Sequence, residues 1–192
     1  MTKTNVPPRI YLAGPEVFLP DALAVGEAKA RLAAAAGFEG VFPLDQSLAL
    51  HGLDAHEQAA RIYAADCAMM RSCDLTIANL TPFRGVSMDS GTAFEVGFMR
   101  ALGKPVFGYT NVTADYRTRA EMFRARSIPA GDFDRGDLMI EDFGLAENLM
   151  IELAVTESGG SVARMAAAAG TVSTDLASFR SCLEQARRLF NI

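Results

Sequence analysis

Four short runs rich in β-branched and aromatic residues punctuate the first 110 residues: RIYLA (9–13), GVFPL (40–44), LTIANL (75–80) and PVFGY (105–109). Stretches with helical spacing separate them, at Asp21 to Ala36, His56 to Arg71 and onward from Thr92, and Gly37 and Gly103 stop two of these. Strand and helix taking turns in this way predict an α/β fold, a mainly parallel sheet with helices on both faces. Leu138 to Phe143 supplies a fifth strand candidate. Helices are expected near Tyr116 to Arg124, Asn148 to Thr156 and Thr174 to Phe190. No linker or repeat divides the chain, so one domain over 1–192 is expected, with an extra helical segment at 153–192.

Composition narrows the partners. Net charge is −5 and Lys and Arg form no run, so a nucleic acid polymer finds no electrostatic footprint. No stretch is apolar for long enough to span a membrane, and the start lacks a leader's apolar segment. Cys67, Cys73 and Cys182 are sparse, odd in number and without a CxxC pair, which suits reduced thiols in a cytoplasm. With only His51 and His56 to help, they make a poor zinc set. There is no GxGxxG, phosphate-binding GxxxxGK[ST] or GxSxG motif, so nothing points to a nucleotide cofactor or a serine nucleophile.

In open α/β sheets the ligand site lies beyond the carboxyl ends of the strands. Three loops qualify: GPEVFLPD after the first strand, DQSLALHG after the second and TPFRGVSMDSG after the third. The last leads to Glu95. With Thr92 as helix start, Glu95 falls on the apolar stripe with Phe98, Met99 and Leu102. Two readings are open. Thr92-Ala93-Phe94-Glu95 fits a capping box, or Glu95 is a carboxylate at the wall of a pocket. Asp89, six residues earlier, can face the same crevice, and paired carboxylates can divide acid and nucleophile roles. Asp89 also reads as a turn residue, Asp66 as an exposed helix acid and Tyr11 as a sheet tyrosine on the face opposite Ile10 and Leu12. Gly14 and Pro15 make a turn.

Taken in order, IYLAGPEVF (10–18), PLDQ (43–46), Asp66 ahead of CDLTIANLTPFRG (73–85), DSGTAFEVG (89–97) and EDFGLAENLM (141–150) resemble the nucleoside 2-deoxyribosyltransferase family across roughly residues 9 to 152. TPFRG and the DFGL…NLM stretch are closer to the branch found in kinetoplastids and some bacteria. The resemblance implies a flavodoxin-like, doubly wound sheet of about five strands, and transfer of 2-deoxyribose between purine or pyrimidine bases without metal or organic cofactor. By motif, Glu95 becomes the nucleophile and Tyr11 the hydroxyl that orients it. Asp89 and Asp66 bind the base and handle its proton. Gln46 and Gly14 are substrate contacts, and Phe18 is a pocket wall. Asn148 is implied to reach the sugar 5′-hydroxyl in a neighbouring subunit, and so a homo-oligomer. The partners implied are a deoxynucleoside and a free nucleobase. A related reading, hydrolysis of 2′-deoxynucleoside 5′-monophosphates, draws on Ser87 and Arg84.

Overall fold

The computed structural model describes residues 6–45, 48–127 and 138–192. Five strands form one sheet: β1 (Arg9–Ala13), β2 (Glu39–Val41), β3 (Leu75–Asn79), β4 (Val106–Thr110) and β5 (Val162–Arg164). All neighbours are parallel, and the order is β2-β1-β3-β4-β5. This is the doubly wound flavodoxin-like arrangement, with its switch point between β1 and β3. Among the described residues six α-helices complete it: α1 (Ala22–Ala35), α2 (Ala55–Ser72), α3 (Ser90–Ala101), α4 (Tyr116–Ser127), α5 (Leu149–Glu157) and α6 (Ala177–Phe190).

Strand alternation sorts the core into two layers. Ile10, Leu12, Leu75, Ile77, Phe107 and Tyr109 face α1 and α6, where they meet Ala33, Phe179, Cys182 and Leu183. Tyr11, Ala13, Ala78 and Val106 face the other way, toward Cys67 and Met70 of α2, Val96 and Met99 of α3 and Val155 of α5. Tyr11 thus sits opposite Ile10 and Leu12, as alternation requires.

The fifth strand is not the one the sequence suggests. Residues 138–143 form no strand; Met139 is almost fully exposed and Phe143 mostly so, and the place beside β4 is taken by a later segment. The strand is Val162–Arg164, behind Gly159-Gly160. A Cβ at Gly160 would collide with the Val106 carbonyl, so only glycine lets the chain approach β4 this closely. The stretch after residue 152 therefore supplies both the last strand and a core helix. Along α6, Phe179, Cys182, Leu183 and Ala186 are buried at helical spacing. Burying Phe179 or Leu183 contributes about 1.5–3 kcal/mol each.

Candidate active site

A cavity of about 590 Å³ opens at the switch point, within the size range of small-molecule sites. The turn after β1 contributes Gly14, Val17 and Phe18, and the segment after β2 contributes Pro43, Leu44, Leu48 and Leu50. The helix α2 contributes Ile62 and Asp66; Asp89, Gly91, Thr92 and Glu95 come from α3 and its cap. One side is therefore apolar and the other carries three carboxylates.

Glu95 does not cap its helix. The N-cap of α3 is Asp89, whose Oδ2 accepts the Thr92 N–H at 2.9 Å and the Thr92 hydroxyl at 3.2 Å. The helix begins at Ser90, two residues earlier than the sequence suggests, because Asp at N-cap and its bond to N3 satisfy the first turn. Thr92 is then an interior, buried residue and Glu95 lies in the second turn. The capping-box reading of Glu95 is thereby overturned. Its Oε1 instead accepts the hydroxyl of Tyr11, a fully buried residue of the first strand, at 2.6 Å.

Proton affinities follow from these surroundings. Burial pushes Glu95 up to about 8; the Tyr11 hydrogen bond works against this, and the charges of Asp66, Asp89 and Glu16 add to it. Burial also raises Asp66, to about 6. Tyr11 is held well above its ordinary value by burial and by Glu95. Among the described residues none of Glu95, Asp66 or Asp89 makes an ion pair with a cation. Burial thus raises the proton affinity of Glu95 further than that of Asp66.

Phe18 is a supported wall. Its ring is 55% exposed, free to be covered by a planar ligand, and its back stacks on Phe83 with centroids 5.4 Å apart. The Arg84 guanidinium lies 5.0 Å from the Phe18 centroid and 4.6 Å from that of Phe83. Arg84 adopts φ 55°, a left-handed conformation that costs a non-glycine residue about 1–2 kcal/mol. The stack offsets part of that cost.

Of the residues singled out from sequence, Tyr11, Gly14, Phe18, Asp66, Asp89 and Glu95 converge here. Gln46 lies outside the described residues. Asn148 does not line this cavity: it caps α5, accepting the Met150 N–H at 3.0 Å and donating to Glu141 at 2.6 Å. Ile62 of α2 is 42% exposed and lines the cavity. Sequence reading missed Glu16 and Lys29. They form a sealed pair at 2.6 Å just behind Gly14, with Tyr109 and Asn79 also donating to Glu16 at 2.8 and 2.9 Å. A Cβ at Gly14 would strike Glu16 Oε2, so the pocket floor and this pair fit each other only through glycine. A signal did exist, since Lys29 stands on the buried stripe Ala22, Val25, Gly26, Lys29 and Ala33 of α1.

A doubly wound sheet whose switch-point pocket joins an apolar wall to a cluster of carboxylates is built to take a small molecule. The chain is a member of the nucleoside 2-deoxyribosyltransferase family, whose profile matches residues 10–150. An uncharacterized protein of Schizosaccharomyces pombe is 32% identical over 170 residues, 81% of each chain. The structure of a 2-desoxiribosyltransferase from Leishmania mexicana is 28% identical, with a TM-score of 0.61 over 93% of this chain and 98% of that one. A conserved protein from Enterococcus faecalis, 19% identical with a TM-score of 0.53 over 93% of this chain and 98% of that one, shares the fold. No helix among the described residues is long and apolar enough to cross a membrane.

Proposed function

We propose that this enzyme transfers 2-deoxyribose from one nucleobase to another through a covalent glycosyl ester on Glu95. The observation that carries the reading is the 2.6 Å hydrogen bond from Tyr11 to Glu95 at the wall of a cavity shared with Asp66 and Asp89. Cleaving the N-glycosidic bond builds positive charge on the anomeric carbon. An ionised Glu95 stabilises that charge and closes on the carbon, the base leaves with the bond's electron pair, and Asp66 or Asp89 supplies the proton it needs. A second base then attacks the anomeric carbon through a ring nitrogen, its N–H proton returns to the aspartate that gave one up, and the bond from that carbon to Glu95 breaks to regenerate the free carboxylate. Charge developing above Glu95 favours its ionised form, working against the raised proton affinity that burial gives it. The exposed ring of Phe18 is suited to lie against the base, which Gly14 leaves room to approach. Gln46 is a further base contact in this reading.

Ser87 weighs against the nucleotide hydrolase. Its hydroxyl is donated to the buried carboxylate of Glu147 at 2.6 Å, so that donor is already engaged and is not offered to a phosphate. Arg84 is likewise engaged with Phe18 and Phe83. We extend the reading to a homo-oligomer in which Asn148 serves a neighbouring pocket. It does not line its own cavity, and Met150 and Leu153 beside it on α5 are exposed. Base exchange of this kind serves nucleoside salvage in a cytoplasm.

The test supplies deoxyinosine with and without adenine, and then a deoxynucleoside 5′-monophosphate alone. Formation of deoxyadenosine only when adenine is present supports transfer. Free sugar phosphate from the monophosphate, with no base exchange, makes the enzyme a hydrolase instead.

A further inference from the structure

Four donors converge on the carboxylate of Glu147, a residue with no solvent exposure. Oε1 accepts the Ser87 hydroxyl at 2.6 Å and the Asn148 N–H at 3.0 Å. Oε2 accepts the Met88 N–H at 3.0 Å and the Arg119 guanidinium at 3.2 Å. The same guanidinium donates from Nε to the Val86 carbonyl at 2.8 Å and from Nη1 to the Ala114 carbonyl at 2.7 Å. One ion pair therefore grips three consecutive residues, Val86, Ser87 and Met88. The next residue is Asp89.

This grip falls where the chain has no other regular support. Between the end of β3 at Asn79 and the start of α3 at Ser90 there is neither helix nor strand; Leu80 and Thr81 are still tied to the sheet end, and beyond them a turn is closed by the Phe83 N–H on the Ser87 carbonyl at 2.9 Å. Removing a carboxylate and a guanidinium from water carries a large desolvation cost, which apolar packing would avoid. What a fully hydrogen-bonded buried pair gives in return is fixed geometry. Its two ends reach both segments that lead to polar groups of interest: the loop before Asp89, and the start of α5 through the Asn148 N–H.

We propose that Glu147, held by Arg119, is a positioning residue that sets the carboxylate of Asp89 against the substrate. The inference rests on the reading of Asp89 as a group acting on substrate. Glu147 lies outside the cavity lining and touches no reacting atom; it works through the Met88 peptide and the Ser87 side chain. A misplacement of about 1 Å in such a group costs on the order of 10²-fold in rate.

A double-mutant cycle in the base-exchange assay tests this. Glu147→Gln is expected to lower kcat/KM by about 10- to 100-fold in the native chain, and by less than about 3-fold when Asp89 is already Asn, since misplacing an inactive group loses little more. Asn is itself a good helix N-cap, so Asp89→Asn preserves the start of α3. Equal fold-losses in the two backgrounds, or no loss in the native one, overturn the inference: Glu147 then supports the fold in general. A chain in which Asp89→Asn alone leaves the rate unchanged overturns the role of Asp89 itself, and that failure is distinguished by the single variant. Should Glu147→Gln not fold, Ser87→Ala removes one of the four donors and leaves the ion pair intact. It is expected to lose about 3- to 10-fold with the same dependence on Asp89, and additivity again counts against the proposal.

Discussion

Two inward-facing carboxylates stand at the carboxyl end of the sheet, and each receives a tyrosine hydroxyl. Tyr109 donates to Glu16 at 2.8 Å and Tyr11 to Glu95 at 2.6 Å. Their other company differs. Glu16 lies on the α1/α6 side with the Lys29 ammonium 2.6 Å away, and that cation, itself 5.4 Å from the ring centroids of Tyr109 and Phe179, holds Glu16 below the ordinary carboxylate range against the effect of burial. Glu95 lies on the other side with no cation beside it among the described residues and with three acidic neighbours, and rises to about 8. A tyrosine hydroxyl alone does not decide a carboxylate's state. A buried lysine makes Glu16 a fixed anion suited to structure, while its absence leaves Glu95 able to exchange protons and to meet a cationic centre.

The strongest way to break this contrast is to remove each carboxylate. Glu95→Ala is expected to cost at least about 10³-fold in base exchange, in line with the loss of a nucleophile, with the melting temperature little lowered. If turnover of every deoxynucleoside tried survives, the contrast has no catalytic meaning. Lys29→Met tests the other half. It strands Glu16 as an unpaired buried anion and is expected to destabilise the fold by about 3–5 kcal/mol, read by urea unfolding. A change within about 0.5 kcal/mol, the range of an ordinary surface substitution, would mean the pair is not structural.

Tyr11→Phe sharpens the comparison. The Tyr11 hydrogen bond holds Glu95 down against burial. Without it the acid-side limb of the kcat/KM profile, governed by ionisation of Glu95 near pH 8, should move to higher pH. Activity at pH 7 should fall by about tenfold or more, the worth of a hydrogen bond to a charged group. An unmoved limb would separate Tyr11 from the nucleophile.

The smallest effect is on stability against pH, where the two carboxylates carry opposite signs. Glu16 is lowered on folding, so its contribution is present above the unfolded carboxylate value and is lost as pH falls through the folded one. Glu95 is raised, so its neutral form is favoured in the fold and stability is lost as pH climbs from about 4.5 through about 8. Glu95→Gln should therefore melt higher than the native chain at pH 9 and nearly the same at pH 4. A native chain that melts higher at both would contradict the raised affinity.

The pieces legible in the sequence were those with a period or a punctuated turn. RIYLA, LTIANL and PVFGY were visible as strands, and the apolar stripes of α1 and α6 as helices. Glu95 stood out because a carboxylate broke such a stripe. Two features escaped for physical reasons. The fifth strand, VAR, is three residues long and owes its place to Gly160 letting it approach β4, a tertiary fact that local propensity does not carry. Glu147 binds partners 28 to 60 residues away, and no spacing within AENLM encodes that. Lys29 was readable and unread: it broke the stripe of α1 as Glu95 breaks that of α3. Its counter-charge, Glu16, sits across a turn that sequence alone does not fold.

The claim on which the account turns is that the sugar becomes attached to Glu95. Intact-mass measurement of the enzyme after mixing with a deoxynucleoside, in the absence of an acceptor base, tests it most directly. The expected result is a gain of one deoxyribosyl unit that peptide mapping assigns to Glu95 and that adenine discharges as deoxyadenosine. Mass unchanged while base is released, or a label carried by any other residue, would contradict it.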